Sequence, residues 1–326
     1  MRQRTPGRCC SCTATCRRPT SSSGWSPTCR PTSDRSRWTC GASAGPRHCP
    51  STPPAACGDF SDDVLALADA LGLEHFDLFG WSMGAGVAMQ VLIDAPERVR
   101  TLVLQSPVSP YGFGGTAGTD GALLHPDGAG SGGGTANPRF VELLAAGDAG
   151  LDDPASPRNV YRAFYVAPGR TLEDEDLHVA SMLTTVTGEG NYPGDSTPSE
   201  HWPAVAPGGR GVLNTMAPTV CRLDGVLDVS PKPPVLWLRG ELDQIVSDTS
   251  MFDLAQLGAL GAVPGWPGTD ACPPQPMVAQ TRALLDAYAD AGGSYSEVVL
   301  PGVGHSPHVE APDVVRDAVV AHLRSA

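Results

Sequence analysis

The run Phe76-Asp77-Leu78-Phe79-Gly80-Trp81-Ser82-Met83-Gly84-Ala85-Gly86 constrains this chain more than any other stretch. Phe76 to Phe79 is a short apolar run that reads as a buried strand. Gly84 to Ile93 is rich in small apolar residues and reads as a helix. Between them lies Gly80-Trp81-Ser82-Met83-Gly84, a G-x-S-x-G turn. Strand, turn and helix in that order form a nucleophile-elbow pattern. A serine so placed stands on a sharp, strained turn with its oxygen pointing out of the sheet. Side chains at positions 80 and 84 would collide with the adjoining strand and helix, so glycine occupies both. Gly86 lets the helix lie close to the sheet. The helix N-terminus directs N–H groups and positive potential at the same place.

The chain around this run alternates between strand and helix patterns. Ser61 is placed as a helix N-cap, with Asp62 and Asp63 in the first turn and Gly72 as the stop. Thr101-Leu102-Val103-Leu104 and Pro234-Val235-Leu236-Trp237-Leu238 are continuous apolar strands of the kind buried in a parallel sheet. Tyr295 to Leu300 is the last strand, and helices are expected near 276–291 and 311–323. The fold class is therefore α/β, with a doubly wound, mostly parallel sheet. Residues 58–106 and 231–326 supply its core. Residues 107–230 read as an inserted, mostly helical cap. Within it, the glycine-crowded stretch 107–137 reads as a flexible surface loop. It lacks the G-K-[ST] of a phosphate-cradling loop. Among the cap aromatics, Tyr111, Phe113, Tyr161, Phe164, Tyr165 and Trp202 are candidates to line an acyl pocket or to pack the cap.

In such a sheet, ligands bind beyond the carboxyl ends of the strands. Ser82, Asp243 and His305 each fall just after such an end. Glu241 and Asp248 are alternatives to Asp243, and His308 competes with His305. Gly80-Trp81-Ser82-Met83-Gly84, Arg239-Gly240-Glu241-Leu242-Asp243 and Gly302-Val303-Gly304-His305-Ser306 resemble the three catalytic segments of the α/β-hydrolase superfamily, in the same chain order. The resemblance covers 58–326 apart from the cap.

It implies a serine hydrolase. Ser82 is the expected nucleophile, His305 the general base, and Asp243 the group that fixes the imidazole tautomer. The Met83 N–H is one expected oxyanion donor. The expected substrate is an ester, thioester or lactone of a small apolar acid. Carbon–carbon bond hydrolases, perhydrolases and peptidases use the same triad, and a non-catalytic, ligand-binding member is the alternative from another class. The second oxyanion donor normally comes from an H-G turn after an early strand. The sequence as written has no such turn, which leaves an inactive member open as well.

Residues 1–57 are unlike the rest. They hold nine arginines against one acid, Asp34, and eight of the ten cysteines. The remainder is strongly acidic, and the whole chain carries −13. Cys9 and Cys12 have C-x-x-C spacing, but the segment has no second such pair and no H-x-x-x-H to complete a zinc site. Strand or helix periodicity and the amphipathic pattern of a transit peptide are missing too. A shifted reading frame accounts for more. With third bases chosen freely, dropping the first two bases of the codons for Cys9–Trp25 permits L-L-L-H-G-N-V-S-S-S-D-F-F-E-W. The same treatment of Asp34–Gly45 permits P-V-T-V-D-L-R-G-F-G-R. These resemble the superfamily's early strand with its H-G-N turn and the next strand with its D-L-R-G-x-G turn. Residues 1–57 are thus expected to be out of frame, with the correct frame resuming near Gly58, and resequencing the coding DNA tests this. A chain lacking those strands is expected to expose a sheet edge and to be poorly soluble.

The acidic balance argues against nucleic acid as a partner. No stretch reaches the length of a membrane helix. Cys221 and Cys272 are too few and too far apart for a metal site. The expectation is a cytoplasmic protein that acts on a small molecule without metal or organic cofactor.

Overall fold

The computed structural model describes residues 57–325. Helix α1 (Gly58–Ala70) leads into β1 (Phe76–Trp81), α2 (Met83–Asp94) and β2 (Val99–Gln105). A long insertion follows. It carries the hairpin β3 (Thr116–Ala117) and β4 (Ala122–Leu123), then α3 (Pro138–Ala145), α4 (Pro157–Val160) and α5 (Glu175–Met182). It closes with a second hairpin, β5 (Ser196–Pro198) and β6 (Val205–Pro207). The core resumes with β7 (Val235–Gly240), α6 (Leu254–Ala259), α7 (Met277–Asp290), β8 (Tyr295–Leu300), α8 (Pro307–Glu310) and α9 (Pro312–Ser325).

Strands β1, β2, β7 and β8 pair in that order, all parallel. Their side chains alternate between two apolar layers, as the pleat requires. Leu102, Leu104, Val235 and Trp237 face one layer, with α2 and with Leu284, Leu285 and Tyr288 of α7. Val103, Leu236, Leu238 and Leu300 face the other, with Val315 of α9. Both faces of the two central strands are covered, so β2 from Thr101 and β7 carry buried runs rather than an alternation. Truncating a fully buried residue such as Leu104 to alanine would cost about 2–5 kcal/mol. All four strands run the same way, so their carboxyl ends share one edge. Ser82, Ser106, Asp243 and His305 lie just past those ends.

Two local expectations are corrected. Ser61 does not cap α1, which starts three residues earlier at Gly58. Ser61 is buried inside the helix, where its hydroxyl donates to Asp94 Oδ2 at 2.6 Å. Gly72 does end the helix, at φ +69°, with Leu73 N–H donating to Ala68 O. Much of the glycine-rich stretch is buried rather than surface loop, although Gly118 to Asp120 and Pro126 to Asp127 are exposed. Residues from Val108 to Tyr111, Gly114 to Thr116 and Gly128 to Ser131 are buried. The backbone of Gly112, Gly114 and Gly118 finds partners on Gln275 and Gln280, outside the insertion.

Candidate active site

Ser82 joins β1 to α2 with φ 55° and ψ −123°, a conformation that L-residues seldom adopt. Its backbone is pinned on both sides. Its N–H donates to Gln105 O at 2.9 Å, and its carbonyl accepts from Ala85 N–H and Val108 N–H. Gly80 shows why the elbow needs glycine: a Cβ there would lie 2.4 Å from Gly84 O and 2.5 Å from Ala85 Cα. Gly86 is held as closely, with a would-be Cβ 2.7 Å from a Val108 methyl. Met83 opens α2, so its N–H belongs to the unpaired first turn of that helix.

Asp243 and His305 meet. Both are buried, and His305 Nδ1 lies 2.9 Å from Asp243 Oδ2. The other carboxylate oxygen accepts from Ile245 N–H at 2.8 Å and Val246 N–H at 2.9 Å. Three hydrogen bonds thus hold an acceptor-only group in one place, and the bond to Nδ1 leaves Nε2 for proton transfer. Glu241 and Asp248 are engaged elsewhere. Glu241 accepts from Gly302 N–H, and Asp248 accepts from Val278 N–H and Ala279 N–H at the start of α7. Among the described residues, no hydrogen bond joins the Ser82 hydroxyl to the imidazole. Such contacts tighten when substrate is in place.

Trp81 links the elbow to the histidine. Its indole N–H donates to His305 O at 2.8 Å, and the two rings lie 5.5 Å apart. On its other side the Trp81 ring meets His308 edge-on at 4.6 Å. His308 Nδ1 lies 2.6 Å from Gln105 Nε2, so this second histidine is paired with an amide rather than a carboxylate. Burial, and then the neighbouring His305 and His178, push the His308 pKa down to about 4. It stays neutral near pH 7. Tyr165, from the insertion, stands 5.9 Å from His305. Behind it, Phe164 and Phe252 pack with Ile245, Val246 and Met277 in an apolar cluster beside the Asp243 loop.

The indole bond of Trp81 had no sequence signal beyond its place in the elbow. His75 is exposed, and its Nδ1 lies 3.1 Å from the Glu97 carbonyl oxygen. Among the described residues, no group of three or more His, Cys, Asp or Glu side chains is set to hold a metal ion. A cavity of about 410 Å³ lies at the opposite end of the strands, lined by Asp69, Gly72, Leu73, Glu74 and Arg98. The H-G turn and the frame-shift both concern residues 1–57, of which the structure describes Cys57 alone.

Residues 19–269 match the family model described as the alpha/beta hydrolase fold. The chain belongs to that family. The matched span takes in Ser82 and Asp243, ends before His305, and opens inside residues 1–57. Over 72 residues the chain is 40% identical to the dihydrolipoyllysine-residue acetyltransferase component of the acetoin cleaving system of Cupriavidus necator. That match covers 21% of this chain and 18% of that protein, so the chain matches under a fifth of its curated relative's length. Among solved structures, a carboxylesterase from Bacillus subtilis is similar at 16% identity and TM-score 0.43, covering 85% of this chain and 69% of that one. The 2-hydroxy-6-oxo-6-phenylhexa-2,4-dienoate hydrolase of a Rhodococcus strain is similar at 17% identity and TM-score 0.44, covering 86% and 76%. Identities this low say nothing of substrate. Among the described residues, no helix is long and apolar enough to cross a membrane.

Proposed function

We propose that this alpha/beta hydrolase fold protein is a serine hydrolase that works through an acyl-enzyme. Its substrate is an ester, thioester or lactone of a small apolar acid. The observation that carries the reading is the buried Asp243–His305 pair beside a strained serine elbow. Ser82 Oγ attacks the carbonyl while His305 Nε2 takes its proton. His305 then returns the proton to the departing alkoxide or thiolate. Asp243, fixed by two backbone N–H groups, holds the imidazole and stabilises its charged form. The Met83 N–H donates to the developing oxyanion. Water, deprotonated by His305, then releases the acid and frees Ser82. The apolar cluster around Phe164, Tyr165 and Phe252 favours an apolar acyl group.

A ligand-binding, non-catalytic protein is the second reading. It draws on one observation, that the sequence as written lacks the H-G turn that supplies the second oxyanion donor. A fluorophosphonate probe and a short-chain p-nitrophenyl ester separate the two. Covalent labelling lost in Ser82→Ala, together with ester turnover, is the expected result. A well-folded chain that binds a short-chain acid yet takes no label would make it a binding protein.

A further inference from the structure

Glu310 ends α8, five residues after His305, and its side chain is fully buried. Its Oε1 accepts from Gly304 N–H at 2.8 Å, and its Oε2 accepts from Ala167 N–H at 2.7 Å. One carboxylate therefore joins the amide just before His305 to an amide of the insertion. Neither donor belongs to a helix or strand. The surfaces it ties are in close contact. A Cβ on Gly304 would lie 2.6 Å from Ala167 N and from Val166 C. A Cβ on Gly240 would lie 2.0 Å from Gly304 O, so the turn is packed between the end of β7 and the insertion. Tyr165, two residues before Ala167, touches His305 and Trp81. Arg170 adds a hydrogen bond to Glu310 O at 2.6 Å, with its other terminal nitrogen 3.9 Å from Oε2.

The chemistry asks for a carboxylate. Both oxygens face N–H donors, and an ionised carboxylate is an acceptor throughout. A glutamine of the same shape would turn an NH₂ donor against one of the two N–H groups. We propose that Glu310 is a positioning residue that ties the His305 turn to the insertion, so that the imidazole and the segment around Tyr165 keep their places together. This rests on the reading of His305 as the general base.

The test uses the full chain with Glu310→Gln, Glu310→Asp and Arg170→Ala. Two quantities are followed beside the melting temperature: the rate of fluorophosphonate labelling per folded molecule, and hydrogen exchange in peptides spanning 163–168 and 302–306. Losing one charge-assisted bond is expected to slow labelling by about ten- to a hundredfold in Glu310→Gln. Exchange should rise in both peptides together. Glu310→Asp, which keeps two acceptors, should recover part of each loss. Arg170→Ala should stay within about threefold, because its bond goes to the backbone and its ion pair is long. Labelling of Glu310→Gln at the unaltered rate overturns the proposal, and so does loosening of one peptide without the other. If that variant does not fold, exchange in the unaltered chain decides. Amides held by one carboxylate open together, and protections at Gly304 and Ala167 that differ by more than about tenfold reject the tie. If the unaltered chain takes no label, the serine-hydrolase reading fails while exchange still judges Glu310.

Discussion

The elbow and the glycine-rich segment after β2 rely on the same residue type and hold their shapes from different distances. At the elbow, Gly80 clears space for Gly84 and Ala85, its immediate neighbours, and Ser82 bonds to Gln105 on the adjoining strand. The backbone contacts that shape the turn are local or one strand away. In the insertion, Gly112 and Gly114 sit at φ +84° and +74°. There the backbone is satisfied by residues far away in the chain. Gln275 accepts from Gly114 N–H and donates to Gly112 O. Gln280 accepts from Ser109 Oγ and donates to Gly118 O and Thr116 Oγ1. Both glutamines are fully buried and bond to each other at 2.7 Å. A turn made locally can give its residues over to chemistry. A segment pinned from a distance needs its pins for stability.

The widest separation between the two regions should appear at Ser82. Ser82→Ala is expected to lower kcat for p-nitrophenyl ester hydrolysis by at least about a hundredfold, and adding His305→Ala should cost little more, because triad members act as a unit. Its melting temperature should hardly move. Ser82→Gly should be equally inactive yet no less stable, since glycine tolerates the φ of 55° that strains serine by about 1–3 kcal/mol. A Ser82→Ala variant that keeps most of its turnover would remove the nucleophile from the elbow. One that unfolds would show the elbow to be structural after all.

The same contrast explains what could be read in advance. The central strands β2 and β7 were legible because burial on both faces leaves continuous apolar runs, and chain order then puts Ser82, Asp243 and His305 at one edge. Helices α7 and α9 were legible from spacing. Ser61 was misplaced because its partner is Asp94, 33 residues on, and a hydroxyl bonded inside a helix looks the same in sequence as an N-cap. The glycine-rich stretch looked solvated because nothing near it advertises Gln275 and Gln280. Glu310 was invisible for the same reason: a lone acid in a short helix carries no period, and its worth lies in two amides met only in three dimensions.

Removing a pin should therefore affect stability first. Gln275→Ala leaves Gly114 N–H and Gly112 O without their partner and opens a void. It is expected to lower stability by roughly 3–5 kcal/mol, at about 1–3 kcal/mol for each buried group left unsatisfied. Urea unfolding followed by circular dichroism measures it. Ester turnover per folded molecule should change by less than about threefold, because the loss stays far below that of Ser82→Ala. A large fall in turnover with unchanged unfolding would reverse the comparison and make the insertion part of the chemistry.

The smallest effect is expected at His308, which stands between the regions, against Trp81 on the elbow and Gln105 on β2. Burial holds its pKa at about 4 in the folded chain, against 6.5 for an ordinary histidine. The unfolded chain therefore binds a proton at His308 that the folded chain refuses between those values. A group of this sign leaves stability intact above pH 6.5 and removes it as pH falls toward 4. Asp253 runs the other way, because burial raises its carboxyl to about 6. A simple acid melt would mix the two. His308→Gln isolates the histidine, since glutamine keeps a polar partner for Gln105 and does not titrate. The variant and the parent should differ by less than about 1 kcal/mol at pH 7. The variant should then gain on the parent as pH drops, by about 2 kcal/mol at pH 4.5. Turnover at pH 7 should stay within about threefold, because His308 pairs with an amide and has no carboxylate to orient it as Asp243 orients His305. Unfolding curves at pH 7, 6, 5 and 4.5 provide the check. A stability gap that stays flat across them would mean that His308 takes up its proton as readily in the fold as in the unfolded chain, and a collapse of activity at pH 7 would move the base from His305 to its neighbour.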